Sequence, residues 1–183
     1  MPDYRRVKIK GGTYFFTLVT NQRFPVFSNN KANNLFMEAQ QHVGSLHPFK
    51  AVAFCILPDH IHLLWEMPIN DADYSLRIGE IKKWFSKRYI NKFGNPVPLS
   101  PIQRKRGEAG IWQRRFWEHT ILNEEDLNRA INYIHYNPVK HGLVNQVKDW
   151  VGSSFYEYVR NQYYDEDWGQ GEAKGNASRY FGE

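Results

Sequence analysis

Cysteine is almost missing from this chain: Cys55 is the only one in 183 residues. A lone thiol cannot build a disulfide framework, and within the apolar run 52–56 it reads as core packing rather than chemistry. Long hydrophobic runs are missing as well. No stretch approaches the roughly 20 apolar residues that a membrane helix needs. The basic start, Tyr4-Arg5-Arg6, is followed by no apolar region of the kind a secretory signal carries. A cytoplasmic protein with no membrane partner is therefore expected. There is no Cys-x-x-Cys or His-x-x-Glu-His pattern and no internal repeat. Acidic residues are the minority, 19 against 24 Lys and Arg, which leaves a formal net charge of +5. That balance leans towards an anionic partner without requiring one.

What is present suits one domain of ordinary size with an appended tail. Residues 13–20 (TYFFTLVT) read as a strand of aromatic and β-branched residues. Over 30–47, Ala32, Leu35, Phe36, Ala39 and Val43 recur at helical spacing, and Pro48 stops that helix. Strands over 49–56 and 60–67, joined by Pro58-Asp59, form a hairpin. A second helix, 75–93, has Leu76, Ile78, Ile81, Trp84, Phe85 and Ile90 as its apolar positions. Residues 95–110 read as a flexible loop, and 111–122 as a fourth strand. A third helix opens on Asn123 as N-cap, with acids in its first turn, and is ended by Pro138 and Gly142. The order β-α-β-β-α-β-α contains the split βαβ, ferredoxin-like α+β arrangement. It predicts an antiparallel sheet with helices on one face and the other free to carry a site, plus the extra last helix. Residues 1–146 are the expected domain. Residues 147–183 are an aromatic, irregular tail that packs back on it and frays at its end.

The stretch His60-Ile61-His62 carries the candidate chemistry. Strand side chains alternate, so both histidines share a face, with Cβ atoms about 7 Å apart, while Ile61 and Leu63 face the core. The bland alternative is two polar residues on a solvent face. On the third helix Tyr133 and Asn137 are one turn apart and share a side, with Ala130, Ile131 and Ile134 expected on the other. Two imidazoles and an amide oxygen can hold a divalent ion with positions left open. Tyr133 can then attack phosphorus and form a phosphotyrosine link; its bland alternative is a partly buried helix aromatic. His119, His135 and His141 are candidates for spare ligands or phosphate contacts, ranked below His60 and His62, with a structural role as the favoured alternative. Arg5, Arg6, Lys8 and Lys10 form a basic arm. Lys82, Lys83, Lys87 and Arg88 on the second helix, Arg104, Lys105 and Arg106 in the loop, and Arg114 and Arg115 on the fourth strand complete a candidate DNA-gripping set. Interleaved aromatics favour that reading over a merely solvated basic face.

These blocks together resemble the REP-associated tyrosine transposases, a branch of the single-tyrosine, His-hydrophobe-His transposases. The resemblance spans about residues 4–158. It rests on Tyr4-Arg5-Arg6, Gly11-Gly12-Thr13-Tyr14-Phe15-Phe16-Thr17, Leu57-Pro58-Asp59-His60-Ile61-His62, Glu80-Ile81-Lys82-Lys83, Ile111-Trp112-Gln113, Arg115-Phe116-Trp117-Glu118-His119 and residues 133–144. It implies that Tyr133 is the nucleophile and that His60 and His62 bind Mg²⁺ or Mn²⁺. Asn137 stands where the wider family often has a glutamine as third ligand. It also implies cleavage of single-stranded DNA beside a REP-like hairpin, with a 5′-phosphotyrosine and a free 3′-OH. The expected state is a monomer acting in cis, with a dimer as the alternative. The tail is expected near the site, restraining or orienting DNA. Two other readings compete: a ferredoxin-like module that binds a nucleic-acid hairpin without catalysis, and a metallohydrolase. The second lacks a third His or acid ligand and a general base.

Overall fold

The computed structural model describes residues 8–170. Arg5 and Arg6 of the basic arm, and the end of the tail beyond residue 170, lie outside the described residues. The strand-forming runs pair as β1 (Thr13–Val19), β2 (Lys50–Ile56), β3 (His60–Glu66) and β4 (Trp117–Thr120). They make one antiparallel sheet in the order β2-β3-β1-β4. The helix α1 (Asn30–Leu46) carries the chain from β1 to β2, and α2 (Tyr74–Phe93) stands between β3 and β4. Each crossover therefore skips one strand, which is the split βαβ topology. No helix among the described residues is long and apolar enough to cross a membrane.

Alternation along the strands decides what lies on each side. Tyr14, Phe16, Leu18, Ile61, Leu63 and Trp65 are fully buried against α1 and α2. Phe15, Ala53, Cys55 and Leu64 belong to a second core. That core is closed by α4 (Glu124–Lys140), which lays Ala130, Ile131, Tyr133 and Ile134 across the other face. The face expected to be open is thus roofed by the last helix. Asn123 caps α4, its side chain accepting from the Asp126 N–H, and three acids fill the first turn, where they favour the helix dipole.

Three local readings differ from the structure. The fourth strand is shorter than 111–122. Thr17 pairs with Trp117 and Thr20 with Trp112, so five steps on this segment oppose three on β1. The surplus bulges out and leaves Arg114 and Arg115 exposed. The loop over 95–110 contains a one-turn helix, α3 (Pro101–Lys105), held by a Ser100/Gln103 capping box with proline in its first turn. Finally, Pro138 does not end α4, which runs on to Lys140. Proline removes one N–H, and so late in the helix only one hydrogen bond is lost. Asn137 and Pro138 carbonyls still accept from His141 and Leu143, and Gly142, at φ +66°, turns the chain out.

Residues 150–158 return along the outer edge of β2. Ile56 N–H donates to Gly152 O at 2.8 Å, Ser154 N–H to Phe54 O at 3.0 Å, and the Tyr158 hydroxyl to Val52 O at 2.9 Å. A sheet edge that would otherwise be left unpaired is covered in this way. The short helix α5 (Phe155–Arg160) begins in this segment. His135 of α4 is the other anchor. Its Nε2 lies 2.8 Å from Ser154 Oγ, and its ring meets Phe155, Tyr158 and Tyr164. Burial pushes its pKa from 6.5 down to about 3. The folded protein refuses a proton that the unfolded chain accepts. Stability contributed by the neutral ring is therefore complete above pH 6.5 and is lost as pH falls from 6.5 towards 3. The expected slope is on the order of 1.4 kcal/mol per pH unit. Urea unfolding of wild type and His135→Gln across that window checks it: the variant should lack this part of the slope, and equal slopes in the two proteins would contradict it.

Candidate functional site

The two candidate stretches meet. His60 and His62 project from β3 to the α4 side, with ring centroids 4.9 Å apart. Both rings are buried, at 2% and 0% exposure, so neither is a solvent-face histidine. Each Nδ1 is engaged. His60 Nδ1 is 2.6 Å from Asp59 Oδ1, and His62 Nδ1 is 3.1 Å from Thr17 Oγ1, its cross-strand neighbour. A histidine held at Nδ1 has its ring orientation restrained, which leaves Nε2 for a ligand. Although burial works against it, hydrogen bonds from His60 and Arg23 hold the Asp59 carboxyl below its usual range. Asp59 and Thr17 were not singled out in the sequence. Asp59 could have been, because it directly precedes His60; Thr17 is brought to His62 only by strand register.

From the helix, Tyr133 is 4% exposed and packs edge-on against His62 (5.4 Å between centroids) and Phe15 (5.9 Å). It shares a side with Asn137, as expected, but Ala130 and Ile134 are on that side too. At about 100° per residue all four fall within a span of about 100°, and all four are buried. The tyrosine is thus inside the packed stripe, facing the sheet, rather than opposite it. One turn beyond Asn137, His141 lies against His60, with 5.1 Å between centroids. Asn137 thus stands on α4 between two residues that contact the imidazole pair.

That amide supplies the test of a metal. Asn137 is fully buried, and neither its Oδ1 nor its Nδ2 has a hydrogen-bond partner among the described residues. Such an amide costs free energy unless something else pairs with it. An unpaired amide oxygen on the helix that faces two imidazoles is a donor set that suits a divalent ion with open positions. Among the described residues no three His, Cys, Asp or Glu side chains group as a metal site. The closed sites typical of structural zinc do not fit this set. His119 and His135 are elsewhere: His119 binds Asp126 at 2.8 Å, tying β4 to α4, and His135 holds the tail.

The basic residues separate into groups. Lys82, Lys83, Lys87 and Arg114 line one groove of about 390 Å³ between α2 and residues 107–114, with Trp112 in its wall. Lys82 also props that wall, donating to Gln113 O at 3.1 Å. Arg88 is on another side of α2, stacked 3.6 Å over Trp84. Lys8 pairs with Asp73 at 3.2 Å, and Arg106 with Glu108 at 3.8 Å. Lys10, Arg104, Lys105 and Arg115 are exposed. The groove and the histidines share one end of the sheet: Val19 pairs with His60, and its carbonyl accepts from the Gln113 N–H.

Comparison with known proteins gives the family to which the chain is similar. Residues 8–137 match the family model described as "Transposase IS200 like". The chain is 45% identical over 169 residues to a protein of Haemophilus influenzae assigned to the REP-associated tyrosine transposases, covering 92% of this chain and 94% of that one. It is 38% identical over 169 residues to the REP-associated tyrosine transposase of Escherichia coli K12, covering 92% and 91%. A solved REP-associated tyrosine transposase bound to a REP hairpin superposes with a TM-score of 0.77 at 37% identity, over 97% of this chain and 96% of that chain.

Proposed function

The chain belongs to the IS200-like transposases and, within them, to the REP-associated tyrosine transposases, and from that premise we propose that it binds REP-type hairpins and cleaves and rejoins single-stranded DNA through a 5′-phosphotyrosine. The observation that carries the reading is the seating of Tyr133 against His62, with the orphaned Asn137 amide one turn on. Tyr133 Oη bonds to phosphorus as the bond from phosphorus to the 3′-oxygen breaks. The phenolic proton leaves to solvent and the departing 3′-oxygen takes one up. The reverse step restores both, so the bond energy is kept and no ATP is needed. His60, His62 and Asn137 would hold Mg²⁺ or Mn²⁺, which when bound polarises the scissile phosphodiester. Asp59 and Thr17 keep the imidazoles aimed. Tyr133 rests against a histidine of its own chain, which supports action as a monomer.

The groove on α2 is where the phosphates of the hairpin or its flank would run, close enough to the sheet's end for a strand to pass on to the histidines. Phosphate contacts release counterions, so each neutralising side chain adds to the salt dependence. Replacing Lys83, Lys87 and Arg114 together by alanine should lower the slope of log affinity against log salt by about 2 to 3. Lys82 is left in place because it supports the groove wall. Titrations of labelled hairpin at several salt concentrations check this, and an unchanged slope would place the DNA elsewhere.

The decisive experiment is incubation of the protein with single-stranded hairpin DNA and Mn²⁺, followed by denaturing electrophoresis. A covalent protein–DNA species is expected. Tight hairpin binding with no such species would favour a binding module without catalysis.

A further inference from the structure

Lys140 is exposed, yet its ammonium reaches the buried end of the site. Its Nζ donates to the Tyr133 hydroxyl oxygen at 3.2 Å and lies 4.8 Å from the centre of that ring. The two residues are seven apart on α4, which at about 100° per residue returns to within about 20° of the same side. Helical side chains lean towards the N-terminus, so the long lysine stem runs back along the helix towards the ring. This reach exists only because α4 continues through Pro138. Packing over an aromatic face needs only that a cation stand above the ring. A hydrogen bond to the hydroxyl oxygen does more, because it puts a fixed positive charge at the atom that would bond to phosphorus.

We infer that Lys140 is a catalytic residue: its ammonium stabilises the negative charge that develops on Tyr133 Oη. The inference rests on the cleavage chemistry proposed above. In cleavage the charge appears as the phenolic proton leaves to solvent and the Oη–phosphorus bond forms. In rejoining it appears as that bond breaks under attack by the 3′-OH, before the phenol takes up a proton from solvent. Lys140 stays an ammonium throughout and exchanges no proton. The labour is divided: the imidazoles and Asn137 face the phosphate, and Lys140 serves the tyrosine oxygen, a placement that costs no reorganisation when the charge appears.

The test is single-turnover adduct formation by the full chain, with saturating hairpin DNA and Mn²⁺. Lys140→Met keeps the stem and removes the charge; Lys140→Arg keeps the charge. The methionine variant should slow adduct formation about 100-fold, the usual scale for one preorganised donor. Arginine should restore the rate to within about tenfold of wild type on the same reasoning. Hairpin affinity and thermal unfolding should stay at wild-type values in both. A second substrate carries sulfur in place of the departing 3′-oxygen, and so needs no proton to leave. The methionine deficit should persist on it. A methionine variant at full rate, a deficit confined to affinity, or a deficit that disappears with the sulfur substrate would each overturn the inference. Absence of adduct from the wild-type protein would instead sink the cleavage reading, and this inference with it.

Discussion

Tyr133→Phe is expected to abolish the covalent protein–DNA species and to reduce strand cleavage by at least about 10⁴-fold, the scale seen when a covalent nucleophile is removed. Hairpin affinity should stay within about twofold, since the basic residues of the α2 groove do not include Tyr133. The fold should survive as well. Phenylalanine keeps the ring that packs on Phe15 and His62 and loses the hydroxyl contact with Lys140, a change of about 1 kcal/mol or less. Denaturing gels measure the adduct, labelled hairpin measures affinity, and unfolding curves measure stability. A phenylalanine variant that still becomes covalently attached would move the nucleophile to another residue. Tyr136 would be the first to examine, because it is half-buried on the same helix.

The second large effect concerns the imidazoles. Replacing His60 and His62 together by alanine should remove most divalent-ion affinity, measured by calorimetry with Mn²⁺. Cleavage should fall by about 10³-fold or more, the several kcal/mol that a metal's charge stabilisation represents. Because His62 is fully buried against Phe15 and Tyr133, the double variant also leaves a cavity and should lose about 2–4 kcal/mol of stability. Asp59→Asn offers a gentler comparison. It keeps the volume but removes the carboxylate 2.6 Å from His60 Nδ1, and should cost about 10- to 100-fold in ion affinity. A graded loss, moderate for Asp59→Asn and near-complete for the double variant, is the expected pattern. Full Mn²⁺ affinity in the folded double variant would place the ion away from these histidines.

Much of this geometry was legible in the chain, and the reasons are local. The two-residue spacing of His60 and His62 puts them on one strand face wherever that strand lies. Asn123 followed by three acids marks the start of α4. Crossover order alone is enough to suggest the split βαβ sheet. The features that were not legible depend on partners distant in sequence. Thr17 meets His62 across 45 positions because of strand register. Helical spacing alone made Tyr133 and Asn137 neighbours, but it did not say that their side of α4 is the one pressed on the sheet. The bulge at 113–116 comes from a mismatch with β1 that neither strand shows alone. Pro138 reads as a helix end, yet two further hydrogen bonds beyond it keep the helix going.

The sequence by itself determined which groups exist and which neighbours share a face, because alternation and helical pitch are set by the backbone alone. It therefore determined the imidazole pair, the tyrosine–amide pair and the excess of positive charge. Only the tertiary structure decided that the two pairs face each other, that Lys140 reaches the tyrosine oxygen, and that four basic side chains gather beside the sheet's end. Those juxtapositions depend on which face of a helix a sheet buries, and burial is a property of the assembled core rather than of any one segment.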